Sequence, residues 1–188
     1  MSKIKNNPIM KGASGMLGEV VVYREVRGNV IMSNRPKKGR ILTPNQEEAK
    51  SKFLRAVKYA KKQMADPVSK AEYQQGAGSR FPSAYAAAMG DYLSAPKIQS
   101  IDSSRYGGAI GDEVIIRASD TFQVKVVNVS VFDAGASLIE QGDAVLDADS
   151  IDEYLYKATV ANAVLPGTKF LVTVRDRPGN ITVDEKVL

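Results

Sequence analysis

The sequence predicts an α+β protein in which a β-hairpin and helices come first and an all-β sandwich follows. Two observations carry this prediction. Before Pro96 the apolar residues recur mainly at helical spacing, and after Pro96 their period falls to two, which is typical of strands. The net charge also changes sign. Residues 1–95 hold 17 Lys and Arg against 7 Asp and Glu, whereas residues 96–188 hold 9 against 14. The resulting +10 and −5 indicate halves with different roles or different partners.

The N-terminus is predicted to be a flexible arm over residues 1–17. Gly12, Gly15 and Gly18 have the spacing GxxGxxG. The run follows no strand and is not completed by a Lys-Ser/Thr pair, so it fits neither the dinucleotide-binding pattern nor the P-loop. We interpret these glycines as part of an arm that makes close backbone contacts.

A hairpin is predicted next, with strands over residues 19–23 and 30–33 and a turn at residues 27–29. Both strand segments are rich in β-branched and apolar residues, and Gly28 and Asn29 tolerate the backbone of a tight turn. A two-stranded hairpin alone is marginally stable in water. This one therefore needs a surface to pack on, in its own chain or in another.

A helix is predicted over residues 44–64. Thr43 is typical of an N-cap, Pro44 of the first helical position, and Gln46 closes a capping box. The helix carries one apolar stripe: Ala49, Phe53, Ala56, Val57, Ala60 and Met64.

Two shorter helices follow before the strands begin. Asp66 and Pro67 repeat the start signal for a helix to about residue 75, which the Gly-Ala-Gly of residues 76–78 is expected to end. Residues 83–93 contain three consecutive alanines and predict a third helix that Pro96 stops.

The second half predicts seven or eight short strands. They are expected at residues 97–102, 113–119, 124–132, 137–140, 144–146, 154–160, 169–175 and 181–187, with turn-forming residues between them. Short strands with turns at regular intervals are typical of a β-sandwich.

Composition narrows the range of functions. The chain contains no His and no Cys, which excludes a His-assisted nucleophile, a thiolate nucleophile and the common ligands of zinc. Catalysis by carboxylates, Lys, Tyr or Ser stays open, but we expect a protein that is not an enzyme and needs no cofactor. No apolar run approaches the roughly 20 residues of a membrane span, and no secretion signal is recognised. We therefore expect a virion or cytoplasmic protein with no membrane partner.

The segments GDEVIIRASDTFQVKVVNVSVFDAGASLIEQGDAV and YKATVANAVLPGTKFLVTVRDRPGN resemble the immunoglobulin-like, fibronectin-type modules of bacteria and phages. The Cys…Trp…Cys pattern of antibody domains is absent. The resemblance implies a two-sheet sandwich but no particular function, because such sandwiches have many roles. The hairpin and helices are similar to uncharacterised proteins of Bacteroidota and their phages, a likeness that carries no known active site.

An acidic cluster lies on or beside a predicted loop: Asp143, Asp147, Asp149, Asp152 and Glu153. Clustered carboxylates suit hard cations such as Ca²⁺, but this cluster lacks the glycine and glutamate spacing of an EF-hand loop. We interpret it as a solvated rim and keep a calcium site as the alternative. A catalytic pair of carboxylates would need a buried cleft, which the sequence does not indicate.

The candidate docking residues are all basic: Arg24, Arg27, Arg35, Lys37, Lys38, Arg40, Lys50 and Lys58. The two last belong to a lysine-rich face of the first predicted helix. Such a positive surface suits either nucleic-acid phosphates or an acidic protein face, including the −5 half of a neighbouring copy. No helix-turn-helix, RNP aromatic pair or zinc finger is recognised, so nucleic acid is not favoured as the partner.

We predict a non-enzymatic structural protein of a larger assembly. Its most concrete version is a phage virion component, such as a head-decoration, connector or tail-associated protein. The basic region over residues 18–95 would dock onto protein partners, including further copies of the chain, and residues 96–188 would form the displayed sandwich. The alternative is a nucleic-acid-associated protein that uses the basic half.

Overall fold

The computed structural model of the chain describes residues 2–4, 12–26, 28–35, 41–78 and 80–188. Within those ranges the protein is a mixed α and β structure with three helices and two antiparallel sheets. The chain divides into two compact units, residues 1–47 and 48–188. The domain limits predicted after residues 17 and 95 stay predictions.

The first unit contains a four-stranded antiparallel sheet in the order β1-β4-β3-β2. Its strands are β1 (Ser2–Ile4), β2 (Gly15–Leu17), β3 (Val21–Val26) and β4 (Asn29–Asn34). The predicted hairpin is the β3–β4 pair, with Val26 opposite Asn29. Within the flexible arm predicted over residues 1–17, residues 2–4 and 15–17 form the edge strands β1 and β2, and the flexibility of the arm stays a prediction. Strands of three residues are too short to show an alternation in the sequence.

The first two helices begin where their N-terminal signals predict, and the third begins one residue after its expected start at residue 83. The three helices are α1 (Pro44–Ala65), α2 (Pro67–Ala77) and α3 (Ala84–Leu93). The Thr43 N–H donates to Oε1 of Gln46 at 3.2 Å. The Asp66 carboxylate accepts from the Ser69 N–H at 3.1 Å. These contacts give hydrogen-bond partners to backbone N–H groups that the helices themselves leave unpaired.

The helices share a small core made mostly of alanine. Its buried members are Ala60, Tyr73, Ala77, Ala84, Ala87 and Ala88. The sequence predicted that Gly76 helps to end α2, but the helix continues through it to Ala77. The aromatic ring of Phe122 explains why this position is glycine, because a Cβ on Gly76 would lie 2.2 Å from Cε2 of that ring. Gly76 is therefore the place where an aromatic side chain packs directly on the helix backbone.

The second unit also contains a seven-stranded antiparallel sheet in the order β11-β10-β7-β8-β9-β6-β5. Its strands are β5 (Lys97–Asp102), β6 (Glu113–Ser119), β7 (Val124–Phe132), β8 (Leu138–Leu146), β9 (Glu153–Lys157), β10 (Lys169–Asp176) and β11 (Ile181–Val187).

This sheet folds over one apolar core and nearly closes into a barrel, an arrangement compatible with a β-sandwich. Most of β8 pairs with β7, whereas Val145 and Leu146 at its end pair with β9. The two edge strands also approach each other, and the Thr182 hydroxyl donates to the Pro96 carbonyl at 2.6 Å. The alternating residues of the central strands fill the core: Val114, Ile116, Ala118, Val127, Val129, Val131, Phe170, Val172 and Val174.

One predicted turn is wrong. The sequence indicated two strands separated by residues 141–143, but β8 runs without a break from Leu138 to Leu146. Gly142 lies opposite Val129 inside the strand. A Cβ on Gly142 would lie 3.1 Å from Cε2 of Tyr156. The glycine makes room for a neighbouring ring and does not mark a turn.

We expect Phe170→Ala to lower the free energy of unfolding by about 3–5 kcal/mol. The Phe170 side chain is fully buried and its ring meets that of Tyr106 edge to face at 4.9 Å. Urea denaturation followed by circular dichroism measures the loss. Val145→Ala, at a position that is 71% exposed, is the control and should change stability by no more than about 0.5 kcal/mol. A loss below about 1 kcal/mol for Phe170→Ala would contradict a single shared core.

Candidate functional site

The structure describes four of the eight predicted docking residues. Arg24 lies exposed on β3, and the half-buried Arg35 follows β4 and pairs with Glu19 at 3.1 Å. Lys50 and Lys58 lie exposed on α1. The other four lie outside the described residues: Arg27, Lys37, Lys38 and Arg40. A contiguous basic surface stays a prediction.

The acidic cluster predicted over residues 143–153 lies along β8, β9 and the loop between them. Asp143 accepts from the Asn128 amide at 2.8 Å, and Glu153 accepts from Nε of Arg117 at 2.7 Å. Asp147 and Glu153 line an open cavity of about 330 Å³. Among the described acidic residues, the three whose carboxylate oxygens converge within 4.8 Å of one another belong to a different set: Asp91, Asp120 and Asp176.

These three aspartates come from three separate elements of the second unit. Asp91 lies in the last turn of α3, Asp120 directly follows β6, and Asp176 ends β10. Asp91 and Asp176 are 0% and 1% exposed, and Asp120 is half-buried. Buried carboxylates need compensation by hydrogen bonds, by a proton or by a cation.

Hydrogen bonds within tight turns fix two of the carboxylates. Oδ2 of Asp120 accepts from the N–H groups of Phe122 and Gln123, both at 3.2 Å. Oδ1 of Asp176 accepts from the N–H groups of Gly179 and Asn180 at 2.8 and 2.6 Å. Each turn therefore holds its aspartate in one orientation.

Asn180 connects the β10–β11 turn to the end of α3. Its side-chain nitrogen Nδ2 lies 2.7 Å from Oδ2 of Asp176. The same nitrogen lies within 3.4 Å of three carbonyl oxygens at the helix C-terminus, those of Asp91, Tyr92 and Ser94. The last carbonyls of a helix have no partner within the helix, so Asn180 acts as a C-terminal cap supplied by the sheet.

Asp91 is held by a tyrosine pair. The Tyr73 hydroxyl donates to Oδ2 of Asp91 at 2.5 Å, and the Tyr59 hydroxyl lies 2.9 Å from that of Tyr73. Two buried oxygens of the cluster lack a hydrogen-bond donor, Oδ1 of Asp91 and Oδ1 of Asp120. They are the atoms through which the cluster can take up a proton or a cation.

The pKa values in the cluster follow from burial and from charge repulsion. Burial raises the pKa of Asp91 to about 7, and repulsion from Asp120 and Asp176 acts in the same direction. The hydrogen bond from Tyr73 opposes this rise. Burial also raises the pKa of Asp176, against the hydrogen bonds from Asn180 and Gly179. In the absence of a cation, Asp91 can therefore hold a proton near neutral pH and donate it to Asp120.

The guanidinium of Arg177 lies beside the tyrosine pair, 4.9 Å from the ring centre of Tyr73. Its NH1 is 2.6 Å from Oε2 of Glu72, and its NH2 donates to the Ser69 hydroxyl at 2.9 Å. Arg177 thus joins the end of β10 to α2, and its positive charge is paired with Glu72.

This cluster was not predicted from the sequence. Its members lie far apart in the chain, and each one alone looks like a turn or cap residue. One signal was present: Asp91 is the one charged residue of α3, whose sequence is AYAAAMGDYL. A lone carboxylate in an otherwise uncharged, alanine-rich helix indicates a buried acid that requires partners.

Comparisons with protein-family models, with curated proteins and with solved structures find no match to this chain. None of the described helices has the length and apolar character needed to cross a membrane. The role of the chain is therefore inferred from its own residues and their geometry.

We expect Asp91→Asn to remove part of the pH dependence of stability. Because the pKa of Asp91 is about 7 in the folded chain against an ordinary value of 3.8, the folded state binds the extra proton between these values. The contribution of the Asp91 proton to the free energy of unfolding is fully present below about pH 4, and it declines as pH rises to about 7. The Asn amide reproduces the protonated acid. The stability of the variant relative to the wild type should therefore be higher at pH 8 than at pH 5, by roughly 1–3 kcal/mol.

Urea unfolding at the two pH values, in buffer without divalent cations, measures this difference. Asp149→Asn, a change at an exposed carboxylate, is the matched control and should show the same difference from wild type at both pH values. If Asp91→Asn destabilises the chain equally at pH 5 and pH 8, Asp91 does not hold a proton in the folded state.

Proposed function

We propose that this chain is a non-enzymatic structural protein that enters a repeating assembly through its N-terminal sheet. The main support for this proposal is that the described apolar side chains of that sheet are not packed into a core. Among its described side chains, Val30 is the single buried one, while Met16, Leu17, Val20 and Val26 are between 44% and 69% exposed. A sheet is stable when one face packs on something, and exposed apolar patches mark interaction surfaces.

The charge of the first unit favours another copy of the chain as the partner. Residues 1–47 hold nine Lys and Arg against three Asp and Glu, a net of +6, whereas residues 96–188 carry −5. Contact between the basic sheet of one copy and the acidic strands of the next is attractive. Such a head-to-tail contact produces rings or filaments. A phage head, connector or tail is the assembly that we propose for it.

The finer fold assignment, an immunoglobulin-like sandwich of fibronectin type, belongs to the same proposal. In such sandwiches the first, second and fifth strands share one sheet, and the third, sixth and seventh share the other. The pairing of β5, β6 and β9, and that of β7, β10 and β11, agrees with this order. The fourth strand, β8, pairs mainly with β7, which places it beside the third strand.

The buried carboxylates support a structural role and argue against catalysis. Asp91 and Asp176 are closed off by the helices and the β10–β11 turn. A catalytic acid or base must come within hydrogen-bond distance of its substrate. Side chains buried to this degree instead hold helices and strands together.

We expect the 188-residue chain to form species larger than its 20.3-kDa monomer in light scattering coupled to size-exclusion chromatography. Met16→Asp combined with Leu17→Asp should shift the population to monomer, because it places charge on the apolar surface of β2. Val68→Asp is the matched control, since it makes the same exchange at a 66% exposed position on α2. Assembly through this sheet would be contradicted if the wild type were monomeric at every concentration. It would also be contradicted if Val68→Asp shifted the population to monomer as much as the double variant does.

Hydrogen exchange supplies a second measurement on the same samples. The amides of residues 20–23 and 30–32 should exchange fast in dilute monomer and slowly in the assembled form. Strong protection in the monomer would show that the sheet is stable without a partner.

Nucleic acid is the second candidate partner, and the +6 charge of residues 1–47 favours it. If that alternative holds, binding to any duplex should weaken steeply as salt increases, because phosphate contacts release counterions. We expect no shift in a gel-shift assay near physiological salt at micromolar protein. A saturable, salt-sensitive shift would support the nucleic-acid alternative.

A further inference from the structure

Two buried aspartate oxygens in the second unit have no hydrogen-bond donor. They are Oδ1 of Asp91 and Oδ1 of Asp120, each with no hydrogen-bond partner. A carboxylate of Asp176 lies within 4.8 Å of both groups. An unpaired buried carboxylate oxygen is costly, and convergence of three carboxylates concentrates that cost at one point.

The positive charge beside the cluster is already engaged. Arg177 contacts the Tyr73 ring, and its guanidinium pairs with Glu72 and Ser69. One shared proton would satisfy Oδ1 of Asp91 and Oδ1 of Asp120 but would leave two negative charges in the cluster. A divalent cation in place of that proton lowers the charge of the cluster to −1 and occupies both oxygens at once.

We propose that Asp91, Asp120 and Asp176 form a binding site for a divalent, oxygen-seeking cation, Ca²⁺. Carboxylate oxygens are the preferred ligands of this ion. Oδ1 of Asp176 already accepts two hydrogen bonds from the β10–β11 turn, whereas Oδ2 accepts one, from the side chain of Asn180, and keeps a lone pair for the metal.

Geometry favours Ca²⁺ over Mg²⁺. Ca²⁺ accepts irregular arrangements of oxygen ligands, whereas Mg²⁺ demands a near-ideal octahedron and keeps several waters. Carboxylate oxygens that lie within 4.8 Å of one another can reach one Ca²⁺ ion, whose ligands on opposite sides are about 4.8 Å apart.

The bound ion would join three elements that the chain brings together from distant positions. It would link the end of α3, the turn after β6 and the turn after β10. The site lies in the second unit and does not depend on the proposed docking sheet, so the two proposals succeed or fail separately.

Thermal unfolding of the full chain with Ca²⁺ tests the proposal. After treatment with chelator, added Ca²⁺ should raise Tm by several degrees in a saturable way, and Mg²⁺ should raise it less. Asp91→Asn and Asp120→Asn should each abolish the response while remaining folded. Asp184→Asn should respond like the wild type, because it changes an exposed carboxylate that belongs to neither acidic cluster.

Terbium luminescence gives a direct readout of the same site. Tb³⁺ replaces Ca²⁺ at oxygen sites and is excited through nearby tyrosines, and the chain has no Trp. Tyr73, which is hydrogen-bonded to Asp91, should sensitise the luminescence of bound Tb³⁺, and added Ca²⁺ should displace the Tb³⁺. No Tm response to Ca²⁺, or Tb³⁺ luminescence that survives in both Asp91→Asn and Asp120→Asn, would overturn the proposal.

Discussion

The burial of Asp91 is the constraint on which the arrangement of the second unit depends. The alanines of α3 allow the neighbouring helix to approach closely, and this packing carries Asp91 into the interior. A buried carboxylate must find partners, and they come from other elements: the hydroxyl of Tyr73 on α2 and the carboxyl of Asp120 after β6. Asn180 then caps the carbonyls of the same helix turn. The end of α3, the residue after β6 and the β10–β11 turn thus meet around one buried acidic side chain.

The two units use their apolar residues in opposite ways. In the second unit, alternating valines of the central strands fill one core, and aromatic rings pack on helix and strand backbones. In the first unit, the described apolar side chains of the sheet remain exposed or half-buried apart from Val30. Burial of apolar area drives folding, and exposed apolar side chains mark interaction surfaces. This difference is the physical basis for proposing that the first unit docks onto a partner.

Local physical chemistry made the helices and most strands predictable. The N-cap Asp66 accepts from a backbone N–H three residues further on, and the first-turn prolines at positions 44 and 67 have no N–H to leave unpaired, so both signals are visible in the sequence. The alternation of residues 124–132 and 169–175 reflects one buried face of a sheet. The absence of His and Cys narrowed the possible chemistry in the same direct way, because it is a property of composition and does not depend on folding.

What the sequence alone determined was therefore local: where helices begin, which segments form strands, and which chemistries lack their residues. Tertiary packing decided the rest. Gly76 and Gly142 resemble breaks in the sequence, yet each lies inside an element because an aromatic ring from elsewhere occupies the space a side chain would need. Asp91, Asp120 and Asp176 form one cluster although 85 residues separate the first from the last. No local pattern encodes such a meeting, because it depends on how distant segments pack and on the cost of leaving their polar atoms unpaired.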